Sequence, residues 1–412
     1  MLRWNPPTWV VVLLLQVWLF SPNLLEAQVL MTGSSPGVPV RIFYSDMAVL
    51  EIKEPRKDLP CSVTPFKPVL GFDLRFHTGY EVSVPLKELV GPENMLTMIF
   101  RVTPESNRGE PVYFLQRVRV PAVAPDVSGQ AYLQGVFDLG EGRYQVDWLM
   151  RDRRERFCSS YWESEAFLSS RDKPLNLILA PGAVEAAETE PFRDEAPVER
   201  VQGEPPLNVK VLVNFAPQRY LAPMLQPMDT GALVSILRSI HREPRIGKFS
   251  ISAFNLQEQR IVYRQVNADR IDFPALGEAV RSIQLGTVNL DRLGKKHGET
   301  QFLANLIREE IDGQDQPDAL IFAGPKAVLE ENVPQEALRE LGDVGYPVFY
   351  MNYNLDPRAN PWRDAIGHAV KFFKGYEFTI TRPRDLWFAL SEIISRIVKS
   401  KHGRRLSAAS SQ

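Results

Sequence analysis

A chain of 412 residues, 44% apolar and 24% charged, is long enough for two ordinary domains and has the composition of a folded soluble protein. Its formal net charge of −2 lacks the basic excess that nucleic-acid binding normally shows. Five histidines without H-x-x-x-H or H-E-x-x-H spacing give no zinc site.

Residues 1–28 read as an export signal to be kept out of the fold. Arg3 supplies the positive end, 9–20 the apolar run, and Leu25-Glu26-Ala27 a cleavage site. The run is shorter than the ~20 residues a spanning helix needs, and no later stretch could cross a bilayer. The mature protein is therefore expected to be secreted or periplasmic, with an uncleaved anchor as the alternative. Export bears on Cys61 and Cys158, the only two cysteines: in an oxidising compartment a lone, widely spaced pair is expected to form a structural disulfide.

Residues 38–182 read as all-β, with strands at 69–76, 80–86, 95–102, 112–120, 131–137, 143–150 and 175–179. Seven short strands without a convincing helix predict an immunoglobulin-like sandwich. Tyr144 and Trp148 share one strand face and are expected in its core. Residues 183–206, rich in Glu, Ala and Pro, are expected to be a mobile acidic linker.

From Leu207 strands alternate with helices. Residues 209–213, 319–322 and 348–352 read as buried strands, 248–255 and 260–265 as a hairpin or sheet edge, and 376–381 as a short strand. Helices are predicted at 229–241 (capped by Asp229), 273–283, 300–311, 335–341 and 384–400. This predicts a doubly wound α/β domain over 207–398, followed by a disordered basic tail over 399–412.

In such a domain the functional side chains are expected at the strand C-termini. The first strand ends in Asn214-Phe215-Ala216-Pro217-Gln218, with no carboxylate, thiol, imidazole or hydroxyl. Two motif matches fail. Gly33-Ser34-Ser35-Pro36-Gly37 has the nucleophile-elbow spacing but no core strand before it. Gly294-Lys295-Lys296 lacks the glycine and the Ser/Thr of a phosphate loop. His297, in the loop before Thr300, is the one histidine placed near the predicted crevice.

The element order from Leu207 to Val398, with Gly298-Glu299-Thr300 opening a helix, resembles a von Willebrand factor type A domain. The layout of signal, β domain, acidic linker and α/β domain is similar to bacterial VWFA-related exported proteins. The resemblance implies a divalent-cation adhesion site, with Asp-x-Ser-x-Ser on the first strand, a loop Thr and a later Asp. Here Asn214, Ala216 and Gln218 stand at the first three positions, Thr300 keeps the fourth, and Gly324 lies where the last Asp would be. One ligand of five survives, so no metal and no cofactor are expected; Glu299 and Asp229 are the only conceivable substitutes.

These readings point to a non-enzymatic exported protein-interaction protein. Its binding face is predicted on loops 214–228 and 323–334, through Asn214, Ala216, Gln218, Tyr220, Met224, Thr300 and Gly324, against an unidentified protein partner. The alternatives are a small-ligand receptor or enzyme on a flavodoxin-like domain, and a structural envelope component.

Overall fold

A computed structural model describes residues 29–30 and 42–410, apart from 189, 203–204, 220–221, 223, 286–296, 314–315, 328, 330, 343 and 356–363. The predicted signal, the segments 33–37 and 294–296, and Tyr220 lie outside the described residues. No described helix is long and apolar enough to cross a membrane. The chain divides into two compact units: residues 1–69, 76–167 and 179–187 form the first, and 70–75, 168–178 and 188–412 the second.

The first unit holds β1 (Val29–Leu30), helix α1 (Tyr44–Ile52), β2 (Ser62–Leu70), β3 (Phe76–Pro85), β4 (Asn94–Pro104), β5 (Val112–Val120), β6 (Gln130–Leu139), β7 (Gly142–Arg151), β8 (Phe157–Ala166) and β9 (Val184–Ala186). One sheet runs β1-β5-β4-β7-β8, antiparallel throughout; the other runs β2-β3-β6-β9, with β3/β6 and β6/β9 antiparallel. Alternate side chains of each strand point inward. Tyr80 of β3 thus meets Phe100 of β4 at 5.5 Å and Trp148 of β7 at 5.2 Å, both edge-on. Tyr144 and Trp148 are buried in this core, as their shared strand face predicted. Cys61 and Cys158 form a disulfide, with their Cα atoms 6.3 Å apart.

The second unit holds β10 (Leu207–Asn214), α2 (Pro227–His241), β11 (Ile246–Asn255), β12 (Arg260–Ala268), α3 (Phe273–Arg281), α4 (Gly298–Asp312), β13 (Ala319–Pro325), α5 (Gln335–Arg339), β14 (Val348–Tyr353), α6 (Ala365–Phe372), β15 (Tyr376–Ile380) and α7 (Pro383–Ser410). Its sheet runs β12-β11-β10-β13-β14-β15. Both faces are covered, which is why the strands read as unbroken apolar runs. Val209, Val211, Val213, Ile321 and Met351 pack with α2, α3 and α7. Leu212, Leu320, Phe322 and Tyr350 pack with α4, α5 and α6 on the other side.

The predicted fold class, a doubly wound α/β domain beside an immunoglobulin-like sandwich, is corrected. Among the described residues the chain is mostly β: fifteen strands make two antiparallel sheets and one mixed sheet, with comparatively few helices. The six-stranded sheet is mixed because β11 and β12 pair antiparallel. Only four residues separate them, and Gln259, with φ at 50°, hydrogen-bonds back to the Leu256 carbonyl. No crossover helix fits in that space.

Local differences have local causes. Helix α1 was not foreseen, because only Asp46, Val49 and Leu50 of its nine residues are buried. Residues 175–179 form no strand, although Leu175 and Leu179 are buried. Asp229 is not the N-cap of α2; it lies in the first turn and accepts the Gln226 amide at 3.3 Å. The final helix runs through the predicted tail to Ser410, and Lys401 pairs with Asp318 at 2.6 Å. The 183–206 segment, expected to be mobile, carries β9 and a length of anchored chain: Phe192 is buried, and Glu188 and Glu195 are ion-paired to α2.

Candidate functional site at the strand ends

Strands β10, β13 and β14 run parallel, so their C-terminal residues emerge together. What gathers there is a set of amides. Asn214 is buried, and its Oδ1 accepts the Leu256 amide at 3.2 Å. Asn255 donates to the Phe215 carbonyl at 2.6 Å and accepts the Glu258 amide at 2.7 Å. Gln218 donates through Nε2 to Oδ1 of Asn354 at 3.2 Å. Asn352 donates to Glu377 at 2.8 Å, while its own Oδ1 is buried without a hydrogen-bond partner.

Gly324 is pressed against Asn214. A Cβ added to it would stand 2.9 Å from the Asn214 Cβ, and its φ of 154° disfavours a side chain. Of the predicted site residues, the structure thus brings Asn214 and Gly324 together, but as packing partners. Ala216 is buried. Thr300, in the first turn of α4, donates its hydroxyl to the Glu331 carbonyl at 3.1 Å. His297 precedes that helix in the left-handed region, with Nδ1 3.5 Å from Glu331. Of the residues expected in the loop 214–228, Met224 and Met228 are open to solvent, at 62% and 63% exposure, with Met228 in the first turn of α2.

Two acids lie close to the amides. Asp229 accepts the Gln218 and Gln226 amides, and burial raises its carboxyl above the usual range. Asp364 caps α6, accepting the Gly367 amide, and takes the Tyr350 hydroxyl at 2.8 Å. Burial pushes Asp364 up to about 6, against the opposing pull of those two hydrogen bonds. Tyr350, fully buried beside it, is pushed well above its ordinary value, chiefly by desolvation. The sequence reading missed Asn352, Asn354, Tyr350 and Asp364. The available signal was the pair Asn352 and Asn354 closing a buried strand, the same pattern as Asn214.

The first unit has its own polar hollow, about 490 Å³, lined among others by Lys53, Arg101, Arg143, Asp147, Glu163 and Glu165. Its charges largely answer one another: Arg101 holds Asp147 at 2.8 Å and Glu51 at 2.6 Å, and Arg143 holds Glu165 at 3.1 Å. In the other sheet of the same unit, His77 Nδ1 of β3 lies 2.7 Å from the buried Asp138 of β6.

No family model matches the chain, and no curated protein matches it. Among solved structures, a β-glucuronidase from Bacteroides uniformis is 11% identical over 76% of this chain and 38% of its own, with a TM-score of 0.18. A glycosyl hydrolase family 2 member from Bacteroides cellulosilyticus is 13% identical over 77% and 38%, also at 0.18. An alkylpurine DNA glycosylase from Pseudomonas fluorescens is 16% identical over 26% and 30%, at 0.17. The chain spans well under half the length of these three structures. Superposition this poor carries no fold or activity over from them.

Proposed function

We propose that the chain is a non-enzymatic, exported protein-interaction protein whose second unit presents the loops at the strand ends to a protein partner. One observation carries the reading: the polar side chains at those ends are spent on internal hydrogen bonds, while Met224 and Met228 face solvent. Methionine is enriched at interface centres and adapts to irregular partner surfaces. The resemblance to the type A family supplies the five adhesion-site positions, and at those positions a metal-free mode fits the residues present. Asn214 and Gly324 offer no anionic oxygen to offset the dehydration of a divalent cation.

The test is Met224→Ser with Met228→Ser in the full chain. A partner captured from envelope extract and identified should, once purified, bind the unsubstituted chain and bind the variant at least tenfold more weakly, with unchanged melting. Equal binding by the variant sinks this reading of the loops.

A further inference from the structure

The face formed by α2 and α3 carries an acidic segment of the same chain. Residues 188–201 cross it with little regular backbone pairing. Their backbone hydrogen bonds include Arg193 to the Glu190 carbonyl and Val201 to the Pro244 carbonyl. What holds the segment is side chains. Glu188 takes both terminal nitrogens of Arg238, at 3.2 and 2.8 Å. Glu195 bridges Arg238 and Arg242, each at 2.8 Å. Glu190 reaches Arg281 at 3.5 Å and Asp194 reaches Arg270 at 3.4 Å. Four acids of one short segment thus meet four arginines of the face beneath.

Between the charges lies one apolar anchor. Phe192 is buried and lies 6.2 Å from the ring of Phe215. Beneath it is Gly277, inside helix α3. A Cβ built there would stand 2.5 Å from the Phe192 Cβ. Glycine is a poor residue for a helix interior, and here it makes the recess that admits the ring.

We propose that this face recognises an acidic peptide with a central phenylalanine, and that residues 188–195 occupy it in cis as an intramolecular competitor. The spacing is that of the strap itself: glutamates at 188 and 195 on either side of Phe192. Paired Arg–carboxylate forks give orientation, and the ring in its recess gives register. A contact made mainly of charges at a partly solvated surface weakens with salt. A tethered occupant acts at millimolar effective concentration, so in the unsubstituted chain it suppresses binding in trans. This surface meets the strand-end loops at Phe215, and its test reads binding of a defined peptide rather than of the captured partner, so the two proposals fail separately.

The probe is a labelled synthetic peptide of residues 186–200, titrated into the full chain and into the variant Phe192→Ala with Glu195→Gln. The variant should bind the peptide at least tenfold more tightly than the unsubstituted chain. Its affinity should fall at least fivefold between 50 and 500 mM NaCl. A peptide with Glu188→Lys and Glu195→Lys should not bind. Equal binding by the two chains, or salt-insensitive binding, overturns the proposal. Hydrogen exchange on the unsubstituted chain decides the matter if the variant fails to fold. The Val201 amide should exchange at least tenfold faster than that of Val211 in β10, and faster again in 500 mM salt. Equal rates would make the strap part of the core's own unfolding unit and end the proposal.

Discussion

The two units bury polar groups by opposite means. In the first, full charges lie on the sheet face turned away from the aromatic core, or at its margin, and are paired: Asp147 of β7 with Arg101 of β4, Asp46 of α1 with Arg151 of β7, and Asp152, just past β7, with Arg156. In the second, the strand ends carry neutral amides, and ion pairs lie under the strap and along the helices, with one buried pair on a central strand, Lys210 of β10 with Glu310 of α4 at 3.4 Å. An antiparallel sheet with one face toward the core leaves the other face for charge. A sheet covered on both faces has little room for ions, whose desolvation is costly, and an amide meets backbone donors and acceptors at lower cost. Burial among polar partners is therefore no mark of function by itself.

The sharpest way to break the contrast is to remove what the first unit has and the second lacks. Cys61→Ser with Cys158→Ser should lose up to about 4–5 kcal/mol in the chain-entropy account of a loop of this length. Urea unfolding followed by Trp148 fluorescence would register it. A loss below about 1 kcal/mol would show that the first unit does not depend on its disulfide.

Next in size is Asp147→Ala, which leaves the buried Arg101 with the more exposed Glu51 as its remaining counter-charge and should cost roughly 3 kcal/mol, the low end for a broken buried pair. Adding Arg101→Met should recover much of that loss. No recovery would mean that the pair contributes through packing rather than charge.

In the second unit the corresponding test is pH. The Asp364 carboxyl has a folded value raised by burial to about 6, above 3.8. The folded state therefore holds a proton that the unfolded chain has released. Its contribution is present below pH about 3.8 and is lost as pH rises through about 6, by on the order of 3 kcal/mol. Asp364→Asn should flatten that part of the profile. His241 runs the other way: burial first, then the nearby Arg200, lowers it, so its contribution is lost as pH falls below about 6.5. Melting of Asp364→Asn and of His241→Asn from pH 4 to 7.5 should show slopes changed in opposite senses.

Smaller still, Gly324→Ala should cost roughly 1–3 kcal/mol by forcing a side chain toward Asn214 in an unfavourable backbone region.

Much of this contrast was legible in the sequence, and the rest was not for identifiable reasons. Runs such as Val209–Val213 declare burial on both faces, because only an apolar strand survives there. Helix α2 was found through its apolar spacing, and the Cys61–Cys158 bond through the expected export together with a lone pair of cysteines. Strand β8 reads FCSSYWESEA, polar enough at a sheet edge to hide its ladder. Glu188, Glu195 and Phe192 looked like a spacer, because composition counts acids without seeing the arginines that meet them. Asn352 and Asn354 close a buried strand as Asn214 does, a pattern visible in the sequence, but the groups they meet appear only when parallel strands bring their ends together. The tight turn Leu256–Gln259, within a pair expected as a hairpin or sheet edge, adds an antiparallel strand and makes the sheet mixed, so the doubly wound domain expected from the rest of the pattern is not what forms.

The position of β10 has a further consequence, for the order of assembly. Its partner β11 follows after one helix, but its other partner, β13, begins only at Ala319. Until that strand has been made and brought back, one edge of β10 is an apolar ladder of unsatisfied backbone groups. Contacts so distant in sequence form late, because a long loop must close first. The second unit should therefore be the slow step of refolding and the point at which a newly made chain is most prone to stick to its neighbours.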